Sequence, residues 1–571
     1  MIKINSRISK TNQKSILYLL LFALLVIYIT YSCILISLNM GPIWDTYDLL
    51  ADAALFSGKS IGYYDLIRPP VLPILTSLYF LVNDLAIWPI MLIDGVIFIS
   101  GSIGLYLLFR LRFNDLNSFI GALLFVSFPI TLTFIARGLT DLPSISIAIW
   151  GGLFTVMAVK KDSKFFYLAF SILTIAFFTR FSTALMIFPI ILYILINKDE
   201  IKPKKDILTG FLISLLIISS FAIFLYLNFA NPFHVFLDFF HSSSSSLANN
   251  AASSMVFCYN TDFFYYAKII PQWTWPEGLF VLIFIILGII SFSYGKIKNR
   301  KIIKESKNDI TYKEAVLTAK HGKMKLFLSI LWFALFVLTL QCVHYMISEL
   351  LFLCFLFCLY ELLKNFKFKN LDFDFLFFSW FMAFFIFHSV YVIKDFRYLL
   401  SMTPPIAYFL MRGFTLSTSQ FKSSIKKRNT KQISGLILII LTLVSIFAYL
   451  PTIPEENVYL KEMNENSLEL SAWLVNYDPE YKAKVIYSDY WPYTAWDLKR
   501  NISKMPSFRN NQVLYTGAQD YHFTIEDMIA YNSELDAHQA DYYFSRREGL
   551  NLTNYKLIKQ SGDFKLYERI K

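Results

Sequence analysis

Charge is what this sequence has least of. Only 16% of its 571 residues are Asp, Glu, Lys or Arg, where a soluble protein carries roughly 25%. With a mean hydropathy of +0.50, that shortage excludes a water-soluble globule and points to a chain that crosses a membrane many times. Cysteine is scarce as well. The five (Cys33, Cys258, Cys342, Cys354, Cys358) sit mostly inside apolar runs, so they read as small hydrophobes, and neither a disulfide framework nor a metal knuckle is expected. His234, His241, His344 and His388 lack ligand spacing, so no metal and no cofactor is expected. An internal repeat, common in transporters, is missing. So is a small-residue cleavage site after the first apolar run, residues 15–38, which is too long for a signal-peptide core and reads as a retained helix.

What the chain has in abundance is apolar and aromatic: 56% hydrophobic residues and 57 Phe. The net charge of +12 is unevenly placed, and its placement predicts topology. Lys3, Arg7, Lys10 and Lys14 precede the first run, which puts the N-terminus in the cytoplasm by the positive-inside rule. Basic clusters recur at Arg110 and Arg112, at Lys160, Lys161 and Lys164, and most strongly over residues 296–325, with ten Lys/Arg against three acids. Lying between spans, they do not suggest nucleic acid. Counting apolar runs gives a polytopic α-helical membrane protein of about thirteen spans. Residues 1–450 form the membrane part. Residues 451–571 are polar and acidic, 18 to 14, and alternate short strands with helical stretches, which predicts a small α/β domain outside the membrane.

The same parity places the 39–84 segment, Asp141, Arg180, Arg397 and the C-terminal domain together on the non-cytoplasmic face. That first outer segment holds Asp45, Asp48, Asp52 and Asp65, paired Tyr63 and Tyr64, and Arg68 set before Pro69-Pro70. It is far longer than a bare connector, and ionisable groups so near lipid tend to mark function. A carboxylate at such a mouth is suited to general-base work on an acceptor hydroxyl. A leaving phosphate on a lipid carrier needs cations, and the arginine fork grips two phosphate oxygens where lysine cannot. The outer-face candidates are Arg68, Arg137, Arg180 and Arg397.

A first span, then WDTYDLLADAALFSG, YYDLIRPPVLPIL, ARGLTDLPS and FRYLLSMTPP ahead of a terminal soluble domain: this order resembles the GT-C superfamily of polyprenyl-phosphate-sugar-dependent glycosyltransferases. It is most similar to the group related to protein O-mannosyltransferases and lipid A aminoarabinose transferases (glycosyltransferase family 39), over residues 15–415. The resemblance implies Asp45 as base, Arg68 on the carrier phosphate, Asp141 as the acidic residue of the second outer loop, and Arg397-Tyr398 as the late basic–aromatic pair. A second acidic residue often follows the base in that family; here the place is Thr46, which leaves open whether Asp48 substitutes. Together with the outer-face position of the others, the candidate donor phosphate ligands are Arg68, Arg180 and Arg397, with Asp48, Tyr64, Asp141 and Tyr398 on substrate. The implied partners are a polyprenyl-phosphate-linked sugar, a glycan, lipid or protein acceptor, and membrane lipids.

Plainer readings stand beside these. Asp45 and Asp141 each precede helical sequence and suit an N-cap. Asp48 and Asp52, at helical spacing from Asp45, suit a solvated face. Arg68, Arg180 and Arg397 suit interfacial anchors, the serine run at 242–246 a flexible loop, and Asn501 and Asn551 head acceptor sequons. A transporter or flippase of lipid-linked sugars is the competing function, and charges clustered at span ends on one face favour the enzyme over it.

Overall fold

The structure is a computed structural model that describes residues 2–229, 260–299, 322–340, 342–366, 368–391, 393–419, 427–509, 512–514 and 523–570. The serine run, His234, His241, Cys258 and most of the basic 296–325 stretch lie outside the described residues.

Ten helices carry the chain to residue 229: α1 Ile2–Met40, α2 Trp44–Phe56, α3 Val71–Phe80, α4 Trp88–Arg110, α5 Asp115–Ser127, α6 Pro129–Phe134, α7 Asp141–Lys160, α8 Phe165–Thr179, α9 Ile187–Ile196 and α10 Lys205–Phe229. The thirteen expected segments are all helical, yet among the described residues only eight helices are long and apolar enough to cross a membrane alone. A ninth span is possible if the pair Tyr265–Trp273 and Glu277–Ile290, bent by 89°, counts as one. The other segments are short for local reasons. Phe128, ahead of Pro129, is extended (φ −54°, ψ 132°) and separates α5 from α6, as the residue before a proline prefers. Arg180 is also extended (φ −156°, ψ 122°) and divides α8 from the turn Phe181–Met186 that leads into α9. α3 has only ten residues, too few to cross, and lies in the segment between α1 and α4.

Small residues let the central helices approach. A Cβ on Gly101 of α4 would fall inside van der Waals distance of Ser146 on α7, the close contact that holds helices together where the hydrophobic effect does not. One turn on, Trp150 of α7 donates to the Ser100 carbonyl at 3.1 Å. At the end bearing the basic clusters, Lys160 pairs with Asp372 at 2.9 Å and Arg110 with Asp115 at 2.7 Å.

Beyond Tyr449 the chain forms the expected α/β unit. Helix Val458–Tyr477 backs a mixed sheet of β1 Ile486–Ser488, β2 Ser503–Lys504, β5 Tyr542–Ser545, β6 Tyr555–Ser561 and β7 Phe564–Arg569. Its order is β2-β1-β5-β7-β6, while β3 Ser507–Arg509 and β4 Gln512–Leu514 make a separate hairpin. β1 runs parallel to β2 and β5, with Ile486 opposite Tyr542; β7 runs antiparallel to β5 and β6. This unit does not close its own core. Leu50, Leu72 and Met91 share one buried cluster with Leu470, Tyr493, Trp496 and Phe564, so the segment after α1 folds with the C-terminal unit.

Replacing Gly101 by Leu is expected to wedge α4 from α7. Overpacking costs roughly 1–3 kcal/mol or more, which a lower melting temperature of the detergent-solubilised protein reads out.

Candidate functional site

The turn from α1 into α2 aims the site. Gly41 takes φ +78°, which glycine tolerates, and Ile43 stands at the N-cap with no side-chain cap. Asp45 is therefore inside the first turn, and the capping role open to it from sequence is not used. Its carboxylate instead spans two guanidiniums: Oδ1 lies 3.0 Å from Arg68 Nη2, and Oδ2 accepts from Arg397 Nη1 at 2.7 Å. The expected solvated face of α2 is also overturned. Asp48 and Asp52 are each 1% exposed, because the loop after α2 folds back over them. Arg68 Nη2 donates to Asp48 at 2.6 Å and its Nε to Asp65 at 3.1 Å. Tyr63 donates to Asp48 at 2.5 Å, and the Asp65 amide donates to Asp52 at 2.7 Å. The three carboxylates at i, i+3 and i+7 face the Arg68 loop as one stripe.

Asp141 opens α7 without capping it; its Oδ2 lies 2.9 Å from Arg180 Nη1. The guanidinium of Arg180 also lies over the Tyr398 ring at 5.3 Å, and Arg397 pairs with Asp395 at 2.7 Å. Asp45, Arg68, Arg180 and Tyr398 line a cavity of about 190 Å³. A recess of about 10 Å³ is lined by Asp141, Thr183, His388 and Arg397, and shares Arg180, His388 and Tyr398 with the cavity. Residues from four parts of the chain, expected on one face, thus meet in one place.

Other expectations fall elsewhere. Arg137 is buried and donates to the Thr133 carbonyl at 3.2 Å and to Asn457 at 3.4 Å; it ties α6 to the C-terminal unit and does not line the cavity. Tyr64 is 51% exposed and also lies off the cavity wall; its neighbour Tyr63 does the packing. Thr46 turns away too, donating to the Arg137 carbonyl at 3.0 Å. Among the described residues no group of three or more His, Cys, Asp or Glu is arranged to hold a metal.

The two carboxylates nearest Arg68 differ in character. Burial raises Asp45, but Arg397 and Arg68 outweigh it and hold the carboxyl well below the ordinary range. Burial dominates at Asp48 and pushes it up to about 7, with Arg68 and the Tyr63 hydroxyl pulling it back. Asp45 is the ionised member at neutral pH.

Two supporting residues escaped sequence reading. Asp94, midway along α4, accepts from the Gly138 amide at 2.9 Å and holds the loop that delivers Thr140 and Asp141. Asn464, from the C-terminal unit, accepts from the Tyr47 hydroxyl at 2.7 Å and donates to the Met40 and Pro42 carbonyls at 3.2 and 3.1 Å. It locks the turn before Asp45, and a Cβ at Gly41 would lie 2.6 Å from its Cγ. Asn464 has no local sequence signal, while a lone acidic residue inside an apolar helix was the hint of Asp94. Asn464→Ala leaves those groups unpaired, and an expected loss of roughly 2–4 kcal/mol is checked by thermal unfolding. Asn464→Asp, which sets a carboxylate oxygen against the Met40 and Pro42 carbonyls, should lose at least as much.

The model of the dolichyl-phosphate-mannose-protein mannosyltransferase family matches residues 67–224. No curated protein matches by sequence. Among solved structures, ArnT from Cupriavidus metallidurans in the apo state is similar at 9% identity and TM-score 0.55, over 95% of this chain and 97% of that one. The same protein bound to undecaprenyl phosphate is similar at 9% identity and TM-score 0.52, with the same coverage. With these findings the resemblance to the GT-C superfamily stands, and the chain carries the fold of the GT-C membrane glycosyltransferases.

Proposed function

We propose that this integral, multi-pass membrane protein transfers one sugar from a polyprenyl phosphate to an acceptor outside the cytoplasm, with inversion at the anomeric carbon. One observation carries the reading: Asp45 divides its two oxygens between Arg68 and Arg397 at the wall of a cavity that Arg180 also enters. The match to a family named for a dolichyl-phosphate-mannose donor, and a fold shared with a protein that binds undecaprenyl phosphate, support the carrier class. The acceptor is a glycan, lipid or protein.

The donor phosphate lies against Arg68 and Arg180, with Arg397 within reach. An acceptor hydroxyl attacks the anomeric carbon, its proton passes to Asp45, and the carbon–oxygen bond to phosphate breaks on the opposite side. The bond's electrons leave with the polyprenyl phosphate, and the guanidiniums absorb that charge. Held by two arginines, Asp45 is a weak base at rest. An incoming phosphate shares those arginines, loosens their hold and raises the basicity of Asp45 when the donor is present. Arg110 and Lys160 in the last turns of α4 and α7, far from Asp141 at the start of α7, with the positive-inside rule, support an extracytoplasmic site and C-terminal unit.

A panel of radiolabelled polyprenyl-phosphate hexoses offered to the purified protein tests the reading. Asp45→Asn keeps the shape and removes the base, so turnover should fall by at least ~100-fold while donor affinity holds or tightens; near wild-type turnover would end the assignment. The pH profile gives a sign. In free enzyme Asp45 is held down, so the acid limb of kcat/KM lies below the usual carboxylate range; with donor bound the arginines are shared, so the acid limb of kcat lies at higher pH. Coincident limbs would count against arginine sharing.

Arg68→Ala should weaken donor binding by roughly 10–100-fold, as loss of a charge-assisted contact does. Arg68→Lys should retain part of it, since charge survives without the fork. Equal donor affinity in wild type and the alanine variant would remove Arg68 from the phosphate site.

A further inference from the structure

The small recess that opens off the cavity is built differently from the cavity itself. Its charged groups are mutually engaged: Asp141 pairs with Arg180 at 2.9 Å, and Arg397 with Asp45 and Asp395, each at 2.7 Å. Its serine hydroxyls are engaged too. Ser144 donates to the Asp141 carbonyl at 2.9 Å, Ser401 donates to the Tyr398 carbonyl at 2.8 Å, and Ser182 accepts from Arg180 Nε at 3.2 Å. Among the neutral side chains of the recess two groups are left over. Thr183 and His388 are 2% and 3% exposed, and among the described residues Thr183 Oγ1 and His388 Nδ1 have no hydrogen-bond partner. Buried polar groups are nearly always paired. A chain that uses 57 Phe, with Phe384 and Phe387 flanking this very position, had an apolar alternative to His388 at hand.

Both side chains are held where they stand. The His388 ring stacks on Tyr398 at 4.8 Å with 23° between planes, and Tyr266 lies 5.8 Å away. Thr183 is fixed in the Phe181–Met186 turn, its amide donating to the Arg180 carbonyl at 3.0 Å. The recess has room for about one hydroxyl-sized group. Threonine and a neutral imidazole can each donate or accept. A hydroxyl, which does both, complements them; a carboxylate or phosphate only accepts, and an ammonium only donates.

We propose that Thr183 and His388 form a subsite that reads one hydroxyl of the donor's sugar, beyond the phosphate held by the arginines. This rests on the glycosyltransferase reading above. A site built to hydrogen-bond a substrate hydroxyl discriminates strongly against analogues that lack it, so this subsite sets which sugar the protein accepts.

The test is binding, which needs no acceptor. Affinities of the full-length protein in nanodiscs are measured for bare polyprenyl phosphate and for its mannosyl, glucosyl and galactosyl forms. The variants are Thr183→Val, Thr183→Ser and His388→Phe. Wild type should bind at least one hexosyl form ~10–100-fold tighter than the bare carrier. Thr183→Val and His388→Phe should keep the bare-carrier affinity within about two-fold and lose most of that increment, and Thr183→Ser should restore it. A monodeoxy form of the preferred sugar should show the loss in wild type and no further loss in the valine variant. An increment that survives in both variants, or no increment in wild type, overturns the subsite and leaves the phosphate reading standing. Loss of bare-carrier binding in the variants overturns it as well, since the residues would then shape the phosphate site. If wild type binds neither the carrier nor any hexosyl form, the proposed function fails and the subsite with it.

Discussion

The carboxylate of Asp45 ties two arginines that are 329 positions apart in the chain, Arg68 and Arg397, one to each oxygen. Among the described residues no other contact at the site joins the segment after α1 to the late Arg-Tyr pair so directly. Partial burial makes it consequential. An exposed ion pair contributes little, but here side chains only 20–32% exposed are held by several partners each, and removing one would strand the others. Arg68 in turn binds Asp48 and Asp65, and the loop it closes brings Tyr63 onto α2. Asp45 therefore joins the two arginine-bearing segments at the wall of the cavity.

That carboxylate needs a rigid mount, and the C-terminal unit supplies it. Trp44 meets Trp491 edge-on at 4.5 Å, and Tyr47 meets Tyr493 at 4.4 Å; such aromatic pairs contribute beyond their buried area. Asn464 closes the turn on the other side of Asp45. Because the unit shares its apolar core with α2 and α3, the fold of residues after 450 and the aim of a side chain at 45 are one physical problem. The terminal unit acts as the jig of the site.

How much of this could be read from sequence follows from the range of each interaction. The helical segments, the α/β tail and the gathering of Asp45, Arg68, Asp141, Arg180, Arg397 and Tyr398 were legible, since hydropathy and charge parity decide which end of a span a residue occupies. Orientation about a helix axis was not. Asp48 and Asp52 looked solvated because their spacing repeats a polar stripe, and only the returning Arg68 loop shows that the stripe is buried. Arg137 sat on the expected face but turned towards Asn457. Asn464 and Asp94 act through partners tens to hundreds of positions away, and Thr183 and His388 meet at one recess from positions 205 apart, where no local pattern can signal them.

The balance of charge around the cavity has a further consequence for an anionic donor. Asp45, Asp48, Asp65, Asp141 and Asp395 face Arg68, Arg180 and Arg397, so with every carboxylate ionised the site would repel a phosphate. Asp48 is the relief. Burial has already pushed its carboxyl up to about 7, so near neutral pH it carries a proton part of the time, and an approaching anion favours the protonated form further. If a donor phosphate binds as proposed, protonation frees Arg68 from one of its three carboxylates as the phosphate arrives, while Asp45, held low by two guanidiniums, keeps its charge. On the proposed reading, the pair of aspartates one turn apart on α2 divides the work by environment alone: the buried one yields charge to the donor, and the bridged one retains it for the acceptor proton.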